Sequence, residues 1–316
     1  MGTSPAQTAM TQLEAPGGIA VTVQGGSPRD VNAVRHQLHA KAVAAARHPD
    51  LYVRFDPHAR GVSVDWTSTT RATWSLSAPP NAGRVRYINQ LLRLRLLDRG
   101  RLPIHAAAAE QDDGAWMIVG PAGGGKTALL LALLDAGWSF LAGEWVVVED
   151  GRVQAADDRI DLRAHHLDAA RSLRLELGLR GRVRRWLVAT GLRRLDRFEL
   201  RSRDLGNSRI SRTGTVPITR AVWVQGTSGP AHGRDGSLDE IVDEMVRCEL
   251  SRYRDLLALY QHDVAGGIQP VPLVRDLGEM LNTRIRQQLA GIRVRIVERA
   301  GAAPHSLLEL AGVGIA

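Results

Sequence analysis

Apolar and polar positions alternate in four short runs near the start of the chain: GIAVTV (18–23), LYVRFD (51–56), GVSVDW (61–66) and TWSLSA (73–78). A period of two predicts strands with one face turned inward. The turn-prone PHAR (57–60) joins the second run to the third, and Pro79-Pro80-Asn81 breaks the fourth. Between the first two runs, VNAVRHQLHAKAVAAAR (31–47) has helical spacing, with Asp30 as its candidate N-cap. In 84–99 the residues Ile88, Leu91, Leu92, Leu94, Leu96 and Leu97 predict an amphipathic helix that Gly100 ends. Residues 1–18 read as a flexible leader. The first 83 residues are therefore expected to form a small α+β unit, and 84–316 a second domain.

The pattern changes after residue 100. IHAAAA (104–109) and AWMIVG (115–120) are apolar throughout, which predicts buried strands, with Asp112-Asp113-Gly114 as the hairpin turn between them. TALLLALLDA (127–136) predicts an apolar helix with Gly137 as its C′ residue. WSFLAG (138–143) and EWVVVED (144–150) form a third strand region, and GRV (151–153) continues past a turn. Further on, TRAVWVQGTSG (219–229) predicts a strand and turn. Ser237 with Glu240 forms a capping box before a long helical run, 238–260. VPLVRDL (271–277) reads as a strand, GEMLNTRIRQQLAG (278–291) as a helix and IRVRIVE (292–298) as a late strand. The apolar tail PHSLLELAGVGIA (304–316) is suited to docking on the body, and no internal repeat is present.

Composition narrows the class. The 316 residues are 44% apolar and 23% charged, an ordinary globular balance that excludes a disordered, collagen-like or coiled-coil chain. The one cysteine, Cys248, excludes an intramolecular disulfide and a cysteine-based zinc site, and its helical phase reads as core. No apolar run reaches the roughly 18 residues of a membrane span, and no basic start with an apolar core marks a secretory signal. Gly2 is followed by Ala6 where myristoylation asks for Ser or Thr. A soluble cytoplasmic protein without a membrane partner is the expectation.

Charge is unevenly placed. Residues 171–212 hold 13 Arg against Glu176, Asp196, Glu199 and Asp204, a local excess of nine in a chain whose net charge is +8. Two readings stand: a patch for an acidic partner, or a solvated helical insertion, about 163–212, with arginine stems on its surface. Nucleic acid is disfavoured, because Trp186 and Phe198 are the segment's two aromatics and no reading motif accompanies them. Lysine occurs twice among 41 cations, at Lys41 and Lys126. Lys41 reads as a solvated helical side chain. Lys126 stands where arginine cannot substitute, since a compact point charge is required.

That place is Gly120-Pro121-Ala122-Gly123-Gly124-Gly125-Lys126-Thr127, a complete G-x-x-x-x-G-K-[ST] between an apolar strand and an apolar helix. Glycines let successive N–H groups turn inward around phosphate oxygens. The helix start, from Lys126 to Ala128, adds its positive end. Lys126 supplies an ammonium for the β- and γ-phosphates and Thr127 a hydroxyl for Mg²⁺. Residues 120–128 are the expected ATP site. Two further residues bear on the reaction. His105 lies on the strand before the loop, flanked by Ile104 and four alanines. Glu144 opens an apolar strand just after Gly143. Each alone reads as structural, His105 as core and Glu144 as an edge acid; beside the loop both fall within reach of one site.

Ile104-His105-Ala106-Ala107, Gly120 to Thr127, Ala136-Gly137-Trp138 and Ala142-Gly143-Glu144 together resemble the HPr kinase family and its relatives. Residues 101–150 carry the resemblance, with weaker echoes at 84–100 and 219–250. It implies a P-loop fold of the phosphoenolpyruvate-carboxykinase type and phosphoryl transfer from ATP to a serine-like hydroxyl. Glu144 falls at the family's catalytic aspartate, which accepts the hydroxyl proton, and His105 at its conserved histidine near the phosphates; Glu144 also stands where a Walker-B-like carboxylate would serve the metal. Gly143 departs from the family's acidic pair by removing one carboxylate. Assembly into homo-oligomers is common among the related enzymes. The acceptor implied is a protein, a ribosomally made peptide or a small alcohol, acidic if the arginine-rich segment docks it. Kinases generally add an arginine clamp, which 39 arginines leave unassigned. The alternative is a nucleotide-binding regulatory or accessory module without phosphoryl transfer.

Overall fold

The computed structural model describes residues 10–43, 48–66, 73–80, 85–112, 114–156, 159–163, 166, 182, 186, 197–205, 214–299 and 304–313. It is a mixed α/β protein in which contacts define two compact units, 1–101 with 250–280, and 102–249 with 281–316. The boundary drawn from the sequence at 83/84 thus falls one helix earlier than the end of the first unit's opening segment at 101.

The first unit is built on a six-stranded sheet of order β3-β1-β2-β4-β6-β5. Its strands are β1 (Met10–Ala15), β2 (Ile19–Gln24), β3 (Lys41–Ala42), β4 (Leu51–Phe55), β5 (Ser63–Asp65) and β6 (Trp74–Ala78). The four alternating runs all became strands, and Leu51, Val53, Phe55, Trp74, Leu76 and Ala78 bury every second side chain. Three expectations change. Residues 10–15 are not leader but β1, paired antiparallel with β2. Helix α1 (Pro28–Gln37) starts earlier than Asp30: Ser27 is the cap, and Asp30 closes a capping box onto it. The helix also stops sooner, so Lys41 lies in β3 opposite Glu14 rather than on a helix.

Helix α2 (Val85–Asp98) is not amphipathic. From Gln90 to Leu97 every residue is buried, including Arg93 and Arg95. Charge inside demands partners, and the buried Asp50 carboxylate supplies one: it lies 3.7 Å from Arg95, pairs with Arg99, and accepts the Ala20 N–H at 2.9 Å. Gly100, at φ +82, ends the helix as expected. The unit's later segment, 250–280, carries the helices Arg254–Ala265 and Pro272–Arg275; inside this unit Trp66 donates to Asp263 at 2.7 Å.

The second unit is organised around a nine-stranded sheet. Its path is β10 (Ser139–Ala142), β8 (Ala107–Gln111), β9 (Gly114–Val119), β15 (Val216–Gly226), β12 (Arg152–Ala155), β11 (Val146–Glu149) and β7 (Leu102–Ile104). β17 (Arg293–Arg299) pairs with β15 and with β16 (His232–Gly236). A separate two-stranded ribbon joins β13 (Arg159–Arg163) to β14 (Arg197–Arg201). The latter pairing corrects the helical reading of 163–212 at its distal end: 197–201 is a strand, and Leu200 and Leu205 enter the core. Of residues 164–213, only His166, Arg182, Trp186 and 197–205 are among the described residues.

Helix α3 (Lys126–Asp135) is buried from Ala128 to Leu134 without a polar face, as a helix embedded in a core must be. It closes in a Schellman motif: Trp138 N–H bonds to the Leu133 carbonyl and Gly137 N–H to that of Leu134, with Gly137 at φ +95. The Asp150-Gly151 turn, φ +51 and +68, joins β11 to β12. The long run after Ser237 divides into α4 (Leu238–Leu250) and α5 (Arg254–Ala265), with a 3-10 turn at 251–253 between. Ser237 N–H bonds to Glu240 at 2.8 Å. The Arg234 guanidinium and that N–H hold the Glu240 carboxyl below the usual carboxylate range. VPLVRDL is not a strand: Pro272 starts the short helix α6 (Pro272–Arg275), since its fixed φ and missing N–H suit a first turn. Helix α7 (Leu277–Gln288) and β17 follow, and the tail helix α8 (Pro304–Ala311) buries Leu307, Leu308 and Ala311 in the α3 core. Among the described residues no helix is long and apolar enough to cross a membrane.

Candidate nucleotide site

β9, β15 and β17 run parallel, with one register shift in the β9–β15 pair between Ile218 and Arg220, so their carboxyl ends, at Val119, Gly226 and Arg299, lie toward one edge of the sheet. That edge is where open α/β sheets bind ligands. Residues 120–125 leave β9 there and turn directly into α3, whose N-cap is Gly125 at φ +113. The turn is tight because the chain passes against β15. A Cβ on Gly120 would stand 2.1 Å from the Val224 carbonyl oxygen, and one on Gly124 would stand 2.5 Å from the same atom. Only hydrogen fits at these positions.

The loop closes around its lysine. Lys126 is 8% exposed, and its ammonium donates to the Gly120 carbonyl at 2.7 Å and the Pro121 carbonyl at 3.0 Å. A buried ammonium is tolerated because carbonyl oxygens replace its water. Ala122 and Gly123 are exposed at the tip, Pro121 and Gly125 half-buried, and Ala128 buried. Thr127, in the first turn of α3, is half-buried, and its hydroxyl bonds to no described residue.

His105 is not on a strand. It occupies the break between β7 and β8 and is half-buried. Ala107 opens β8 opposite Ile118, and Ile104 ends β7 opposite Val146. His105 therefore stands level with the start of the glycine loop and beside the start of β11. Glu144 precedes β11 by two residues, half-buried, after a register shift between Phe140 and Ala142 where β10 leaves β8. The sheet thus brings the loop, His105 and Glu144 to the same edge. Gly143 is held for space: a Cβ there would stand 1.8 Å from the Arg159 carbonyl oxygen of β13. An acid cannot replace it on this backbone.

Two residues at this edge escaped sequence reasoning. Glu249, 2% exposed, accepts the His105 backbone N–H at 2.6 Å and so anchors the break that carries the imidazole. Its phase with Ile241, Val242 and Met245, all buried, is the signal that was present. Arg299, at the end of β17, lies over Gly125. Nothing in the sequence distinguishes it from the other arginines.

Thr127 and Glu144 each carry an oxygen donor, the kind of ligand a magnesium ion takes. Among the described residues no group of three or more His, Cys, Asp or Glu forms a metal cage of its own. No protein-family model matches the chain, and no curated protein matches it.

Proposed function

We propose that the chain is an ATP-dependent phosphotransferase that phosphorylates a hydroxyl, with a nucleotide-binding domain of the HPr kinase and phosphoenolpyruvate-carboxykinase type. The observation that carries this reading is the glycine loop itself, curled around the Lys126 ammonium at the N-terminus of α3. A loop of backbone N–H groups, a helix dipole and a buried cation together form a site for a polyanion. Residues 120–128 hold the β- and γ-phosphates of ATP, with Lys126 moving from its own carbonyls to phosphate oxygens. Magnesium, held by Thr127 and Glu144, would supply neutralisation of the terminal phosphate charge.

Phosphoryl transfer needs positioning and charge stabilisation more than covalent assistance. The acceptor oxygen bonds to the γ-phosphorus as the bond to the β,γ-bridging oxygen breaks, and that electron pair leaves with ADP. Glu144 accepts the hydroxyl proton, and His105, steadied by Glu249, orients the reacting groups. The acceptor is a serine of a protein or peptide, or a small alcohol. Glu144→Gln keeps the size of the side chain and removes its basicity. Transfer of label from γ-labelled ATP should fall by about two orders of magnitude or more, while ATP affinity stays within a few fold. Equal transfer by both proteins would remove Glu144 from the base role.

One observation favours a second reading. The crowding at Gly143 excludes the first acid of the resembled pair, which suits a regulatory module that binds ATP without transferring phosphate. Binding without transfer to protein, peptide and small-alcohol acceptors would select it.

A further inference from the structure

The loop's own glycine points to a second cation. An ideal Cβ on Gly125 would lie 2.6 Å from Nη1 of Arg299 and 2.7 Å from its Cδ, so the arginine stem and guanidinium rest on the N-cap of α3. The backbone beneath is paired within the sheet. Arg299 is the last residue of β17, in register with Gly226 of β15, and its carbonyl accepts the Thr227 N–H at 3.0 Å. The guanidinium makes no hydrogen bond or ion pair with any described residue. The arrangement is electrostatically adverse as it stands. A full positive charge sits at the positive end of a helix, against the residue that precedes Lys126. Neighbouring Glu298 does not relieve it, since that carboxylate accepts from Gln225 at 3.1 Å and lies 3.8 Å from His232. Such a place is stabilised when a multiply charged anion arrives.

We propose that Arg299 binds the terminal phosphates of the nucleotide, opposite Lys126, and is the arginine clamp of this site. The inference rests on the phosphotransferase reading only in taking the loop as a triphosphate site. Its fork spans two phosphate oxygens, whereas Lys126 contributes a point charge. Gly125 is then glycine for two reasons, the left-handed φ and the space that the arginine stem occupies.

Equilibrium binding of Mg-ATP and of inorganic tripolyphosphate to the full chain tests this, using wild type, Arg299→Gln, Arg299→Lys and Lys126→Ala. Arg299→Gln is expected to weaken both ligands by about tenfold or more, the size of one lost charge-assisted bond. Arg299→Lys keeps charge and stem and should recover only part, with an unchanged melting temperature. If Arg299→Gln fails to fold, the Lys variant decides alone. Wild-type affinity in Arg299→Lys, or in a folded Arg299→Gln, overturns the clamp and leaves the nucleotide reading standing. Failure of wild type itself to bind either ligand overturns the nucleotide reading, and the clamp with it.

Discussion

At the scale of single residues, this site is shaped as much by missing side chains as by present ones. Gly120, Gly124 and Gly143 each face a backbone carbonyl oxygen across a gap that no Cβ can enter. For Gly143 the consequence is a clear test. Gly143→Asp would restore the acidic pair on paper but drive its Cβ into the Arg159 carbonyl. We expect destabilisation of roughly 1–3 kcal/mol, the usual cost of overpacking, read by urea denaturation, and no gain in phosphoryl transfer. A stable Gly143→Asp protein with increased transfer would show that β13 yields easily. The same scale explains why Glu249 mattered and went unseen. A carboxylate at an apolar helix position is visible in a sequence, but its partner, the His105 N–H, is 144 residues away.

At the scale of elements, α3 links the core to the site. Its leucines are packed on all sides, and its two ends are defined by backbone geometry alone, Gly125 at the start and Gly137 at the close. Gly137 has open space around it, so Gly137→Ala tests backbone conformation without a clash. The left-handed φ should cost about 1 kcal/mol, seen as a lower denaturation midpoint with unchanged ATP affinity. A loss of affinity would mean that the helix shifts along its axis when its C-terminus is altered. The elements that defied the sequence did so for local reasons. VPLVRDL has apolar residues enough for a strand, but Pro272 favours a helical first turn. In 41–42, the strand partner Glu14 outweighed the helical run around Lys41.

At the scale of the molecule, the nucleotide reading concerns one of the two units. Residues 102–249 and 281–316 supply every candidate site residue. Ligand binding to the native state alone stabilises by mass action, about 2.7 kcal/mol at a hundredfold excess over Kd. Mg-ATP should therefore slow hydrogen exchange in amides of this unit, strongest at 120–128, and should not do so in Lys126→Ala. Protection confined to 10–101 would contradict the placement of the site. The positive charge of 171–212 lies mostly outside the described residues, so the acidic-partner reading rests on sequence alone.

Local information determined a good deal. Alternation of two specified the strands of the first sheet, and an unbroken apolar run with glycines at both ends specified α3 and the loop before it, because these patterns act over a few residues. The glycine motif also made Lys126 and Thr127 candidates, and His105 and Glu144 became candidates by their place beside it. Only the tertiary structure decided what long-range packing controls: that α2 is enclosed on every side, that 197–201 pairs with 159–163, that Gly143 has no room for an acid. It alone picked Arg299 out of 39 arginines, since identical side chains differ only in what the folded backbone sets beside them.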